Sequence, residues 1–387
     1  VSFLKLRAGY SQVAGGADSP YALSLSYGIY GQGHLGASLG SISGGTIPNS
    51  EITPFEKNET EFGMDLRLFD NKLSIDATYY DNETLGDIVG VSASPTSGFG
   101  SALANLGNIS NSGIELLVKG TLMQTDDFAW EASVNYTNNT SKVVATNDTD
   151  GNISMDEPRS RNLRVTHIVG QKYGALYGSS YVRDAENNIV HEMVNGIPIP
   201  KVGARKILGF GVAPTSIGFG SSFRYKDFNA NLLIEGKSGG QIYSGTNAFL
   251  IRNGHHKKTV PAGGREAGFV PTGVMEDGST ISTSIPASQQ EDYYRRTYNI
   301  AEEAIQDSDY MRLRSVSIGY NIPSDKLEGT AIEKASISLI GRNLFFLSNS
   351  TDNIDPESAY NSGNSAGLEW FGLPVPRTIG LNINLKF

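Results

Sequence analysis

The chain has 387 residues, 31 Lys plus Arg against 40 Asp plus Glu (formal net charge −9), and no cysteine. That balance argues against a general nucleic-acid binder, which needs a basic face for phosphates. The missing thiols exclude disulfide scaffolds, zinc ribbons and cysteine nucleophiles. Gly (45), Tyr (18) and Phe (16) are abundant, a composition of short strands and turns rather than helices.

Val1 runs straight into FLKLRAGY, with no initiator Met, charged n-region or cleavage site, so the start is expected to be processed or truncated. This opening is the first candidate strand. Phe62, Met64, Leu66 and Leu68 then alternate with Glu61, Gly63, Asp65 and Arg67. Leu73, Ile75, Ala77 and Tyr79 alternate with Lys72, Ser74, Asp76 and Thr78. Ile114, Leu116 and Val118 oppose Glu115, Leu117 and Lys119. Phe128 to Tyr136 places five apolar residues on one face, with Glu131 on the other. Phe228, Ala230, Leu232 and Ile234 oppose Asn229, Asn231, Leu233 and Glu235. In Tyr310–Asn321 the apolar set switches from odd (Met311, Leu313) to even (Val316, Ile318, Tyr320), the mark of a β-bulge. Ile379, Leu381, Ile383, Leu385 and Phe387 close the series. A period of two sets residues on opposite faces of a strand; on a helix they would circle the axis.

Connections alternate in length. Asp70-Asn71, Gln124–Asp127, Lys226-Asp227 and Pro323–Lys334 are short; Ser11–Lys57, Val89–Asn108, Ala145–Ala213, Gln241–Asp307 and Leu347–Val375 are long. Compact domains rarely carry structureless loops beyond about 12–15 residues, whereas outer-membrane barrels pair short periplasmic turns with long outer loops. The mean hydropathy of −0.25 does not oppose this, because lipid-facing and lumen-facing residues average out. No apolar run is long enough for a transmembrane helix. The fold predicted is an all-β, antiparallel transmembrane β-barrel wall of about ten strands with long extracellular loops. A soluble β-sandwich whose inner faces hold the same rings stays open as the alternative.

No catalytic constellation, phosphate loop or metal motif is found, and no cofactor is expected. His255-His256 is the one histidine cluster, more simply a solvated pair than a metal site. The lumen-facing polar candidates are Arg67, Asp76, Glu115, Lys119, Glu131, Arg224 and Glu235; for each, solvation or wall packing competes with ligand contact. The loop candidates for ligand or partner contact are Tyr173, Tyr177, Tyr181, Tyr293, Tyr294, Trp370 and Phe371. Exposed rings beside amides suit sugars or peptides, although the same rings can staple loops together.

Six collinear blocks resemble one family, the SusC/RagA-type TonB-dependent outer-membrane transporters of Bacteroidetes. They are NISNSGIELLVKGTLMQTDDFAWEASVNYTNNTSKVV, SSFRYKDFNANLLIEGKSGGQIYS, SDYMRLRSVSIGYNIP, ISLIGRNLFFLSN, DNIDPESA and VPRTIGLNINLKF. The resemblance implies that residues 1–387 are the C-terminal part of a barrel of about 22 strands, without the N-terminal plug and earlier strands. It further implies TonB-dependent import of a nutrient ligand, oligosaccharide or peptide, across the outer membrane. A SusD-like surface lipoprotein would act as lid, and the TonB complex would act through the N-terminal part. Outer-membrane lipid would be the surrounding solvent. A surface β-sandwich adhesin or lectin, and a structural barrel within a larger outer-membrane assembly, are the competing readings.

Overall fold

The computed structural model describes residues 1–17, 24–29, 31, 33–42, 45–47, 49–105, 107–146, 151–156, 162–359 and 366–387. Ten long strands form one antiparallel sheet in chain order. They are β1 (Phe3–Gly15), β2 (Phe55–Leu68), β3 (Leu73–Leu85), β4 (Ile109–Gln124), β5 (Phe128–Val143), β6 (Thr215–Tyr225), β7 (Phe228–Ser238), β8 (Tyr310–Ile322), β9 (Lys334–Asn349) and β10 (Thr378–Lys386). At lengths of 9 to 16 residues, each can cross a hydrocarbon layer, which takes about 9–11 tilted residues. The tight turn between β2 and β3 passes through Phe69, Asp70 and Asn71, all with φ between 55° and 66°; Asp and Asn accept that left-handed geometry through local side-chain hydrogen bonds.

The register joins the alternating residues into rows. One row runs Leu4, Leu66, Ile75, Val118, Val134, Phe219, Ile234, Leu313, Phe345 across nine strands, every member apolar. The adjacent row, on the other face, contains Lys5, Asp65, Asp76, Asn135, Glu235 and Arg312. Lipid and water therefore claim opposite faces of the same wall. Phe128, Tyr225, Phe228 and Tyr320 form an aromatic row on the apolar face beside the short turns, where a membrane–water interface favours rings. The upper border lies near Phe62, Tyr79 and Ile114, paired in one row. Beyond it the strands continue with both faces polar, as in Asn138–Lys142 and Asp81–Thr84.

Among the described residues no second sheet covers the apolar face: Leu6 is 73 % exposed and Leu381 63 %. This removes the sandwich alternative, which would bury those side chains between sheets. β1 and β10 are the outer strands, each paired on one side only among the described residues.

The bulge in β8 falls at Arg314. Its neighbours Leu313 and Ser315 pair with Ile234 and Leu233 of β7, leaving Arg314 as the extra residue. The insertion turns both Arg312 and Arg314 toward the polar face.

The long connections carry structure of their own, which alternation does not predict. Ile153–Asp156, Leu163–His167, Ala175–Tyr181 and Val202–Phe210 form a four-stranded sheet; Gln241–Ser244 pairs with Ile305–Asp307 and Leu368–Glu369. Two helices join them, α1 (Gly245–Arg252) and α2 (Gln290–Tyr298). The main hydrophobic core sits in this cap: Leu163, Val165, Leu176, Tyr243, Ala248, Ala301, Ala304 and Leu368. A barrel wall has no interior of its own to bury, so the core forms where three long loops meet.

Candidate functional site

The polar face holds all seven predicted lumen residues, distributed over three sites. Asp76 accepts from Arg7 Nη2 at 2.8 Å. Arg67 lies 3.6 Å from Asp65 and over the Phe3 ring at 5.0 Å. Glu115 is paired in register with Thr78 and Thr137. Lys119 and Glu131 share an open cavity of about 480 Å³ near the short turns, with Lys72, Ser74, Ser133 and Asn231. Arg224 reaches the Asp126 carbonyl at 3.5 Å, also at the turn end. Glu235 belongs to a third group, higher on the wall, where its Oε2 accepts from Arg314 Nε at 2.6 Å.

That third group is a node between wall and cap. Arg312 donates through Nη2 to Asp355 Oδ2 and through Nη1 to Glu357 Oε2, both at 2.5 Å. Arg314 donates to Glu357 Oε1 at 2.7 Å and to Asn343 Oδ1 at 2.9 Å. The Tyr310 hydroxyl donates to Glu357 Oε1 at 2.8 Å. The Arg312 guanidinium also lies 3.9 Å over the Phe346 ring. Burial alone would push the Glu357 pKa up; hydrogen bonds from Arg314 and Tyr310 and the two positive charges outweigh it, and the net direction is down. The segment DNIDPES thus clasps the inner wall, and a cavity of about 360 Å³ opens beside it, lined by Lys237, Gln241, Tyr310 and Glu357. Charge pattern alone did not single out Arg312, Asp355 or Glu357. The phase switch in β8 was the signal available for the two arginines.

The loop rings are less exposed than expected. Tyr181 and Tyr294 are buried, at 9 % and 8 %, which corrects the expectation of exposed rings there. Tyr181 donates to Glu303 Oε2 at 2.7 Å, and Tyr294 to the Lys258 carbonyl at 3.3 Å; each hydroxyl finds its acceptor far away in sequence, so the ring is drawn inward. Tyr293 stacks on His191 at 6.2 Å and meets Phe269 edge-on at 5.2 Å. Tyr173 sits 4.2 Å from the buried His167. Burial raises the pKa of Tyr173, Tyr181 and Tyr293 and lowers that of His167 to about 4. Tyr177 is half-buried within the four-stranded sheet. Trp370 is half-buried edge-on to Phe249, and Phe371 is 54 % exposed. The structure brings Tyr293 to Tyr294 and Trp370 to Phe371, edge-on in both pairs.

An open ten-stranded wall, apolar outside and polar inside, with a folded cap at the long-loop end, defines a transmembrane β-barrel wall. Residues 2–252 match the family model described as TonB dependent receptor-like, beta-barrel, and the chain belongs to that family of the outer membrane. It is 25 % identical to TonB-dependent receptor P3 of Formosa agariphila over 412 residues, covering 99 % of this chain and 39 % of that protein. It is 22 % identical over 226 residues to TonB-dependent receptor SusC of Bacteroides thetaiotaomicron, covering 56 % of this chain and 21 % of SusC. The solved RagAB peptide transporter shares the fold at a TM-score of 0.71 and 18 % identity, covering 99 % of this chain and 41 % of that one. The chain spans about two fifths of the length of the first of these relatives.

Proposed function

We propose that this chain forms the C-terminal part of the barrel wall and the extracellular cap of a TonB-dependent importer of a nutrient ligand, an oligosaccharide or a peptide. A SusD-like lipoprotein would cover the cap, and TonB would act through a plug domain. The carrying observation is the two-faced wall: one unbroken sheet with lipid-compatible and water-compatible faces, joined at its rim to a cap with its own core. The unpaired sides of β1 and β10 fit a wall completed by further strands, since a bare strand edge is unfavourable in lipid. The relatives named TonB-dependent receptor and SusC, and the peptide transporter of like fold, support the same reading.

In this reading the cap holds ligand near Trp370, Phe371 and Tyr177. The polar wall, with Lys119 and Glu131 in their wet cavity, offers exchangeable hydrogen bonds along the path. No covalent step is required. The test is uptake of labelled oligosaccharide and peptide pools by a Bacteroidetes host carrying or lacking the full-length receptor gene, with and without TonB. Uptake that needs both genes, with the receptor in the outer-membrane fraction, is expected. Uptake independent of TonB, or a receptor recovered without detergent, overturns the proposal.

A further inference from the structure

Between the last turn of α1 and the first turn of α2 lies a cavity of about 390 Å³, lined in part by Arg252, Arg265, Gln290, Glu291 and Tyr294. It shares no lining residue with the cavity beside the Arg312 node, and its charge is unusual for the cap. The neighbouring cations are paired: Arg183 and Lys206 with Glu302, Lys258 with Glu303, Arg296 with Glu192, and Lys257 with Asp352. Arg252 and Arg265 have no carboxylate within ion-pair distance among the described residues.

Arg252 is nevertheless held in place. Its guanidinium lies 5.0 Å over the Tyr298 ring and 5.7 Å over Phe249, and those rings meet edge-on at 5.4 Å. Cation–π attraction of this kind holds the charge without consuming an N–H group, so the donors of Arg252 stay available to an acceptor. Arg265 makes one stretched contact, Nη1 to Thr259 Oγ1 at 3.4 Å, and is exposed. Glu291, the acid in the lining, is engaged by Arg295 one turn along α2 at 3.3 Å. Gln290 is buried and tied by its amide to the Ala267 carbonyl at 2.7 Å, so the floor is fixed, and buried Tyr294 supplies an apolar wall.

We propose that this cavity is a carboxylate-binding subsite of the cap. Arg252 takes the carboxylate by its fork of N–H groups, Arg265 supplies the second charge, and the ligand body lies against Tyr294. Peptide carboxylates and uronic acids present the same chemistry. The proposal rests on the import reading for the source of the ligand, yet binding itself needs none of the transport machinery.

The experiment is titration calorimetry on the full-length purified receptor at 0.15 M salt, roughly physiological ionic strength. The probes are trigalacturonate, its methyl ester, an uncharged-side-chain hexapeptide with a free C-terminus, and the same peptide amidated. At least one carboxylate probe should bind at least ~10-fold more tightly than its neutral counterpart; which one identifies the source. Arg252→Gln should abolish that discrimination, and Arg265→Gln, at an exposed site, should weaken the carboxylate probe while leaving hydrogen exchange in α1 and α2 unchanged. Equal binding of charged and neutral forms, binding of neither carboxylate, or unchanged discrimination in both variants overturns the subsite. Loss of TonB-dependent uptake with discrimination intact would strike the import reading alone.

Discussion

Arg312 and Asp355 meet almost wholly withdrawn from water, with side chains 3 % and 4 % exposed and Nη2 at 2.5 Å from Oδ2. Asp355 also accepts the backbone N–H groups of Glu357 and Val375. One carboxylate therefore closes its own turn, receives the approach to β10 and neutralises a wall arginine. The pair binds the last long loop to the inner face of β8. Its value is positional, because a buried ion pair gains little over a well-packed apolar pair while a broken one is expensive.

Asp355→Ala is expected to destabilise the docked segment by about 3 kcal/mol, since it leaves Arg312 only Glu357, which Arg314 and Tyr310 already share, and removes the acceptor of the Glu357 and Val375 N–H groups. Hydrogen exchange across residues 352–358 of the full-length receptor reads this directly. Combining Arg312→Met with Asp355→Leu should recover most of the protection, and protection equal to wild type in Asp355→Ala would show that the clasp contributes nothing.

Neighbouring residues on β3 test the two-faced wall. Ile75→Arg puts a charge on the lipid face in the apolar row and should cost about 2–4 kcal/mol near the midplane. Ser74→Arg puts the same charge on the polar face beside Lys119 and should cost much less. Denaturant-dependent folding of the full-length receptor into vesicles compares them. Equal penalties would contradict the assignment of faces.

The wall was legible in sequence because a single physical choice, lipid or water, is repeated at every second residue. Ile75 and Ser74 declare their faces without help from any distant contact. The β8 bulge was legible too, as a change of phase. The cap was not. Leu163, Tyr243 and Leu368 meet in one core although they come from three separate loops, and the strands that carry them are five, four and two residues long, too short for a period to register. Tyr173, Tyr177 and Tyr181 recur at a spacing of four, which suggests a cluster. In the structure Tyr173 precedes the strand, and a register shift between Ser179 and Tyr181 separates the other two. Tyr181 is turned by Glu303, 122 residues away, a partner that local pattern does not reveal.

Glu369 offers a second test of the cap. Fully buried, it accepts from the Ser244 hydroxyl at 3.0 Å, the Thr246 hydroxyl at 2.6 Å and the Gly372 N–H at 3.0 Å, at the start of α1. Four donors, counting the Thr246 N–H at 3.3 Å, make it an acceptor-only position. Glu369→Gln turns one oxygen into a donor facing donors and should cost about 1–3 kcal/mol. Faster hydrogen exchange in Gly245–Arg252 is the expected result; an unchanged rate would mean the carboxylate does not hold the helix start.

Acid should loosen the cap before the wall. His167 is 1 % exposed, and its Nε2 has no partner among the described residues, so burial opposes its charged form and its pKa falls from 6.5 to about 4. The unfolded cap takes up the proton near the ordinary value while the folded cap refuses it. Full stability is therefore present above pH 6.5, is lost as pH falls toward 4, and changes no further below that. The loss amounts to about 2 kcal/mol at pH 5 and on the order of 3 kcal/mol in all. His191 and His256 are shifted down as well, chiefly by burial, and add with the same sign. Glu302 is shifted down because its bonds from Arg183, Lys206 and the Tyr181 N–H outweigh burial, so its contribution persists until pH falls below the ordinary carboxylate range. Hydrogen exchange of Leu163–His167 and Ala175–Tyr181 should accelerate, after correction for intrinsic rates, between pH 7.5 and pH 5, while β6 and β7 stay protected. His167→Phe keeps a ring against Tyr173 and removes one titrating group, so its cap should lose less protection over the same interval. A cap that responds to acid identically in the variant would mean that His167 is charged, or solvated, in the folded receptor.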